Sequence, residues 1–260
     1  MPAAVASAAC KRFSPRSLPP SHAGSAAARS DEYKGWLIAA SLFITLFIVF
    51  GSGYDTAGVF FAPMHNDLGW SRTRLSSLQT ALALTAGMAA PAVGWLLDRF
   101  EARVIMGTGV AFAGIALMLA SRAHSFGLMV AAFIVLGAGI CAATLLPCSL
   151  VIANWFGEQR GTSLGITMAG ASFGGMVMTL VATRAIAAAG WRAGFLILAL
   201  PMFFVALPLV LATVRTRPAG EKDRGVSDAA LALPGLDIGQ AVRARSFWMI
   251  AVAQFCCTFA

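Results

Sequence analysis

The chain has 260 residues, of which 58% are apolar and 12% are charged, whereas ordinary soluble domains carry about a quarter charged residues. This composition excludes an ordinary soluble domain and favours a membrane protein. A net charge of +8 would suit nucleic-acid binding in a soluble protein, but here the basic residues flank apolar segments, and we expect no nucleic-acid partner. The five cysteines have neither the spacing of a metal site nor that of a disulfide framework, and we expect no cofactor.

Residues 1–34 precede the first apolar segment and are rich in Ala, Ser, Pro and Arg. They lack the apolar core of a cleavable signal peptide, so we expect the first apolar segment to act as an uncleaved anchor. Their composition predicts a disordered cytoplasmic tail.

Six stretches without Asp, Glu, Lys or Arg follow one another between residues 35 and 214. Each is about long enough to cross a bilayer as a helix, which takes about 20 apolar residues. The chain is therefore predicted to be an all-α polytopic membrane protein, with a kink at Pro147 in its fourth span. The predicted spans lie near residues 36–60, 73–97, 104–121, 126–154, 161–185 and 192–214.

The last part of the chain predicts a loop and an incomplete span. Residues 215–246 are polar, with several Pro and Gly, and are predicted to form a cytoplasmic loop between domains. A further apolar segment covers only residues 247–260. Because so short a segment cannot satisfy its backbone across a bilayer, we expect it to be the truncated start of a seventh span in a longer protein.

The basic residues predict the orientation of the spans. With the N-terminus in the cytoplasm, 14 Lys and Arg residues lie on the inner side and 5 on the outer side. This distribution follows the positive-inside rule. It predicts a multi-pass protein of the plasma membrane, most simply a bacterial inner membrane, with a cytoplasmic N-terminus.

Six spans, a long charged loop and a further span resemble the N-terminal half of a major facilitator superfamily transporter. The segment after the second span resembles the signature of that superfamily, which has a Gly, an Asp-Arg pair four residues later and further bases. The matching residues are Gly94, Asp98, Arg99 and Arg103, with Glu101 where the family prefers Gly. The resemblance implies a bundle of two three-helix repeats, in which these four residues form a cytoplasmic gate. We expect Glu101 to neutralise part of the charge of Arg99 or Arg103.

Glycines recur along the fifth span, as they do in antiporter members of the superfamily. Their GxxxG spacing predicts a face on which another helix packs closely, which is common in membrane bundles generally. The fourth span has Phe133 where the proton antiporters carry an Arg, which argues against drug/proton antiport. The packing glycines are Gly161, Gly165, Gly170, Gly174 and Gly175.

Two further segments resemble the bacterial relatives of monocarboxylate and oxalate/formate transporters. They are Gly58-Val-Phe-Phe-Ala-Pro63 with Leu68-Gly69-Trp70-Ser71-Arg72, and Asn154-Trp-Phe-Gly157. The resemblance implies a secondary transporter of small organic anions, moved with a proton or exchanged for another anion by alternating access. In such transporters most of the charged residues that hold the carboxylate lie in the other half.

Five residues are candidates for the substrate or proton path. Asp55 is the single acid in or beside the first span, and burial favours the protonated form of a carboxyl group, as a proton carrier requires. Counted from Gly35, however, Asp55 lies about 30 Å along a helix, which favours the outer headgroup level. The other candidates are Tyr54, Gln79, Thr144 and Arg184. Each of these is also explained by a satisfied helix side chain or an interfacial anchor.

Three other functions are open to a chain of this composition. Gly170-Ala-Ser172-Phe-Gly174 spells the G-x-S-x-G motif of hydrolases, but no histidine lies in a predicted span to activate Ser172, so we expect no enzyme. The chain is alternatively a half-size transporter that works as a homodimer, in which each copy supplies half of the transport cavity. An inactive fragment is the third alternative.

Overall fold

The computed structural model describes residues 22–156 and 159–214, with side chains from Gly35 onward, and also Trp248, Met249 and Val252. The chain divides into two compact units, Met1–Thr216 and Arg217–Ala260, and the description below concerns the first. Tail residues 1–21, the loop 215–246 and most of the predicted seventh span lie outside the described residues.

The described part is helical and has no strands, as predicted. Five continuous helical segments in it are long and apolar enough to cross a membrane. The α-helices are His22–Phe50 (α1), Ala57–Leu68 (α2), Arg72–Arg99 (α3), Ala102–Ser121 (α4), Phe126–Ala143 (α5), Leu145–Trp155 (α6), Arg160–Pro201 (α7) and Leu207–Thr213 (α8). Two π-helical turns, Gly51–Asp55 and Met202–Ala206, join α1 to α2 and α7 to α8.

The last of the five segments contains two spans. It runs for 54 residues from Arg160 to Thr213, about 81 Å of helix against a hydrocarbon core about 30 Å thick. Gly190 breaks it with φ 79° and ψ 171°, a backbone conformation open essentially only to glycine. The break lies between the predicted fifth and sixth spans, so the six predicted spans are all present.

The first span is longer than predicted at both ends. The helix begins at His22, inside the predicted tail 1–34, and continues past residue 60 to Leu68. Because every proline of the tail precedes residue 21 and the residues that follow are rich in Ala, nothing in the sequence stops α1 from extending backwards. At the other end Gly69, with φ 64°, caps the helix by donating its N–H to the carbonyl of His65.

The fourth span is interrupted close to its proline, as predicted. Thr144, with φ −118° and ψ −111°, separates α5 from α6. Pro147 has no N–H to donate to the carbonyl four residues earlier, and its ring crowds that turn, so the helix breaks one turn before it.

Close contacts at glycine and aromatic residues show which spans pack together. A Cβ on Gly137 of span 4 would fall on the carbonyl of Leu82 in span 2. Spans 3 and 4 approach backbone to backbone at Gly109 and Gly139, and span 3 contacts Phe203 of span 6 at Gly114. Span 1 packs on span 5 along most of its length, and on span 6 through stacked rings of Phe60 and Phe195, whose centroids lie 3.9 Å apart.

These pairs have the symmetry expected of two repeats. Exchanging spans 1, 2 and 3 for spans 4, 5 and 6 converts the 1–5 pair into 4–2 and the 3–4 pair into 6–1, while 3–6 maps onto itself. Every one of these pairs is present. The contact pattern is therefore that of two three-helix repeats, as in many secondary transporters.

Candidate functional site

An open groove lies between spans 1 and 5. It has a volume of about 540 Å³, and Asp55, Ser172 and Thr179 supply its polar side chains. Phe50, Ala171, Gly175 and Met176 line the rest. The groove therefore combines one carboxyl group and two hydroxyl groups with an apolar wall.

A π-helical turn places Asp55 in this groove. Residues Gly51–Asp55 form the wider turn, and Asp55 is its last residue. Such single π turns inside α-helices are frequently found at functional sites. Thr56 follows the turn and donates its hydroxyl to the carbonyl of Ser52 at 2.6 Å, which helps to fix the local backbone.

Gly175 makes room for the Asp55 carboxylate. A Cβ at Gly175 would fall on Oδ2 of Asp55, so the glycine leaves the space that this carboxylate occupies in its present orientation. The sequence predicts Asp55 as a path residue and Gly175 as a packing residue. The structure brings them into one contact.

Asp55 lies inside a helix that continues beyond it. Span 1 extends from Gly35 to Leu68, so Asp55 lies 13 residues, or about 20 Å of helix, before its end. The count of about 30 Å from Gly35, which favours the outer headgroup level, is unchanged, and the depth of Asp55 in the bilayer stays a prediction.

The packing glycines of span 5 separate into two groups. A Cβ at Gly170 would approach the carbonyl of Phe43 to 2.6 Å, and one at Gly174 would fall on the carbonyl of Phe47. These two, with Gly175, form the predicted close contact, and their partner is span 1. A Cβ at Gly161 or Gly165 would meet no atom within 4 Å, so the contact predicted for these two is not made among the described residues.

The other path candidates lie outside the groove. Tyr54 is partly exposed and stacks on Phe50 with centroids 5.1 Å apart. Thr144 is buried and donates its hydroxyl to the carbonyl of Ile140 at 2.6 Å, as a satisfied helix side chain does. Gln79 is half-buried, and its Oε1 is buried without a hydrogen-bond partner among the described residues. Arg184 is exposed on span 5.

The predicted gate residues lie at the turn between spans 2 and 3. Arg103 Nη2 and Glu101 Oε2 form an ion pair at 3.2 Å, so the expected neutralisation by Glu101 takes place at Arg103. The Arg99 guanidinium lies 4.1 Å from the centroid of the Trp95 ring. Asp98 is exposed and has no ion pair within the described segments, and a Cβ on Gly94 would meet nothing within 4 Å. The close helix contact expected at Gly94 is therefore absent from this part of the molecule.

Comparison with known proteins identifies the family. A family model described as Major Facilitator Superfamily matches residues 42–260, which include all six spans except the start of the first. The chain belongs to the Major Facilitator Superfamily. It is thus a multi-pass membrane protein of a transporter family, as the resemblance implied.

Individual superfamily members are similar over only part of their length. The MFS transporter asaE of Aspergillus flavus is 30% identical over 74% of this chain and 44% of its own length. A probable L-galactonate transporter of Escherichia coli is 29% identical over 55% of this chain and 32% of its own length. Among solved structures, the chain is similar to a bacterial homologue of the human lysosomal transporter Spinster in an inward-facing, unoccupied conformation. The match covers 81% of this chain and 48% of that one, with 22% sequence identity. Its TM-score of 0.65 shows that the two proteins share a fold. The chain spans less than half the length of each of these three proteins.

Two features of this superfamily member were missed from the sequence. Trp191 Nε1 donates to Oδ2 of Asp67 at 2.8 Å and so ties the end of span 1 to the start of span 6. The two residues are far apart in sequence, and no local pattern pairs them. Gly51 also approaches the Gly174 backbone, where a Cβ would lie 2.5 Å from the carbonyl carbon. The Gly51-Ser52-Gly53 cluster was a visible signal for that contact.

Proposed function

We propose that this protein is a secondary transporter of small organic anions, coupled to protons through Asp55. The groove between spans 1 and 5 is the observation that carries the proposal, because it holds a carboxyl group well inside a membrane helix. Ionisable residues within membrane helices are costly and rare, and they commonly mark a transport path. Its volume of about 540 Å³ suits a small solute.

The charge of Asp55 would couple the binding of an anion to the binding of a proton. An ionised Asp55 repels an anionic substrate, whereas a protonated Asp55 offers it a hydrogen-bond donor. Ser172 and Thr179 supply hydroxyl donors on the facing span. An anion is therefore expected to enter together with a proton, which favours symport.

The substrate class is supported by resemblance and by one relative. The segments at residues 58–63 and 68–72 resemble bacterial relatives of monocarboxylate and oxalate/formate transporters. Galactonate, named for the similar Escherichia coli protein, is likewise a carboxylate. Small carboxylates are therefore the first substrates to test.

Alternating access requires a second bundle facing this one. Span 2 has an exposed apolar face that such a bundle would cover, since Leu84 and Met88 expose 62% and 74% of their area. We propose that a second six-helix half covers spans 2 and 5 and that the two halves rock about the groove.

The positive-inside distribution favours an N-terminus in the cytoplasm and a place in the plasma membrane. Impermeant labelling of single cysteines tests this orientation. Cysteine at His124 should react in intact cells, and cysteine at Glu101 only after permeabilisation. The opposite pattern would reverse the orientation.

Counterflow tests the proposed activity. The full-length gene product is reconstituted into proteoliposomes loaded with unlabelled lactate, formate or oxalate, and uptake of the labelled anion is followed with the external pH. We expect exchange of at least one carboxylate, and inward movement of protons with net uptake. Exchange of uncharged solutes alone would overturn the proposal.

A further inference from the structure

A second cavity lies at the junction of spans 1 and 2, apart from the groove at Asp55. It has a volume of about 380 Å³ and shares no lining residue with the groove. Four polar side chains line it: His65 and Asn66 from α2, and Arg72 and Ser76 from α3. No carboxylate is among its lining residues in the described part of the chain.

The backbone around this cavity is held in one conformation. His65 Nδ1 donates to the carbonyl of Trp70 at 2.6 Å, and the carbonyl of His65 accepts from the N–H of Gly69 at 3.0 Å. Ser71 caps α3 by accepting from the N–H of Arg74. These bonds fix the turn from which Asn66 and Arg72 project.

Arg72 forms no ion pair among the described residues. The first turn of α3 contains no acid, although it begins with Arg72 at the positive end of the helix dipole. The nearest acid in sequence, Asp67, accepts the indole N–H of Trp191. Arg74 lies 5.8 Å from the centroid of the Phe126 ring and is not among the cavity-lining residues. Within the described residues, Arg72 is thus a cation that lines a polar cavity and forms no ion pair.

We propose that this cavity binds a small carboxylate from the solution, with Arg72 as the charged partner and Asn66 as a hydrogen-bond donor. The choice of carboxylate rests on the proposed function. Arg binds a carboxylate in a planar, charge-assisted manner, and an amide donor adds a further hydrogen bond. The cavity forms a first binding site before the groove at Asp55.

Alkylation of a single introduced cysteine tests this site without requiring transport. Ser76→Cys places a thiol in the cavity, and Ser77→Cys places one on the next, exposed residue outside it. Both variants of the full-length protein are treated with maleimide in detergent, with the unsubstituted protein as the background. Oxalate at ten times its dissociation constant should slow alkylation at position 76 about tenfold and leave position 77 unchanged. Oxamide, which is uncharged, should have no effect.

A matched pair of arginine variants assigns the effect to Arg72. Added to Ser76→Cys, Arg72→Gln should weaken protection by oxalate at least about tenfold. Arg74→Gln removes the same charge two residues away and should leave protection intact. The binding site would be ruled out if oxalate protected the cysteine equally well with and without Arg72→Gln. It would also be ruled out if both arginine variants lost protection to the same extent, or if oxalate gave no protection in any variant.

Two further results separate the ligand and the function. If phosphatidylglycerol in nanodiscs protects the cysteine and oxalate does not, the occupant is a lipid headgroup and the proposal fails. Protection without carboxylate counterflow would retain the cavity and remove the proposed function. Carboxylate counterflow without protection of the cysteine would retain the proposed function and rule out the binding site in the cavity.

Discussion

Asp55 owes its position to residues on two different helices. The π-helical turn at residues 51–55 presents it to the groove, and Gly175 leaves space for its carboxylate. Neither residue alone indicates a site, because acids near a span end and glycines in membrane helices are both common. Their contact makes Asp55 the strongest candidate for proton coupling.

Replacing Asp55 tests this role directly. In Asp55→Asn the amide cannot exchange a proton, so we expect the dependence of carboxylate uptake on external pH to flatten. Asp67→Asn is the matched control, since it makes the same change on the same helix and keeps an oxygen that accepts from Trp191. Initial uptake rates between about pH 5 and pH 8 measure the effect. An unchanged profile in Asp55→Asn would exclude Asp55 as the coupling group.

Gly165 and Gly174 each end a GxxxG pair of span 5, but they should respond differently to substitution. Gly174→Ala places a Cβ on the Phe47 carbonyl and should lower stability by about 1–3 kcal/mol. Gly165→Ala adds a methyl group to open space on the same helix and should be neutral or slightly stabilising. Thermal midpoints of the purified proteins, followed by size-exclusion chromatography, compare the two. Equal midpoints would remove the assigned contact between spans 1 and 5.

At the scale of the helical elements, three interruptions set the geometry of the bundle. The π turn in span 1 directs Asp55, the break at Thr144 bends span 4 ahead of Pro147, and Gly190 separates spans 5 and 6. Proline made one of these visible in the sequence. The gap between the predicted fifth and sixth spans marked the break at Gly190, and the π turn had no signal in the sequence pattern.

Gly190 should be intolerant of any side chain. Its φ of 79° and ψ of 171° lie in a region that L-residues avoid, so Gly190→Ala should lower stability by about 1–3 kcal/mol although no atom crowds the position. Gly161→Ala is the control, because its surroundings are equally open and it lies in regular helix. Thermal midpoints again provide the measurement. A neutral effect at Gly190 would indicate that the turn can adopt an ordinary conformation.

At the scale of the whole molecule, the gate motif lies at the end of a span with an exposed apolar face. Apolar side chains are exposed on spans 2 and 5, and equally on spans 3 and 6, as expected of helices that face lipid or a further bundle. Gly94, Asp98 and Arg99 are at the end of span 2 and, among the described residues, make no helix contact of the kind expected for a gate. A gate at this position therefore needs partners from another bundle.

Variants of the gate in the full-length protein test that requirement. Asp98→Asn and Arg103→Ala should insert and fold normally, because both side chains lie at the surface turn, but should lose most transport. Arg122→Ala, an exposed basic residue at the opposite end of span 3, is the control and should retain uptake. Uptake in proteoliposomes, normalised to protein inserted, measures the effect. Normal uptake by both gate variants would refute the assignment.

The sequence by itself determined the class, the number of spans and their order. A bilayer imposes a length and an apolar composition on each span, so charge-free stretches reveal spans without any knowledge of their neighbours. The same one-dimensional information located the break between spans 5 and 6 to within a few residues and paired Glu101 with an arginine nearby in the chain. It also identified Asp55 as the acid to consider.

Tertiary structure alone decided which residues meet. Whether a glycine packs or stays open depends on the helix beside it, so Gly174 and Gly165 differ despite identical spacing. The place of Asp55 beside Gly175 depends on the packing of span 1 against span 5, and the bond from Trp191 to Asp67 joins residues 124 positions apart. Contacts between helices are set by their relative rotation and register, and a sequence pattern with the period of one helix carries no information about either.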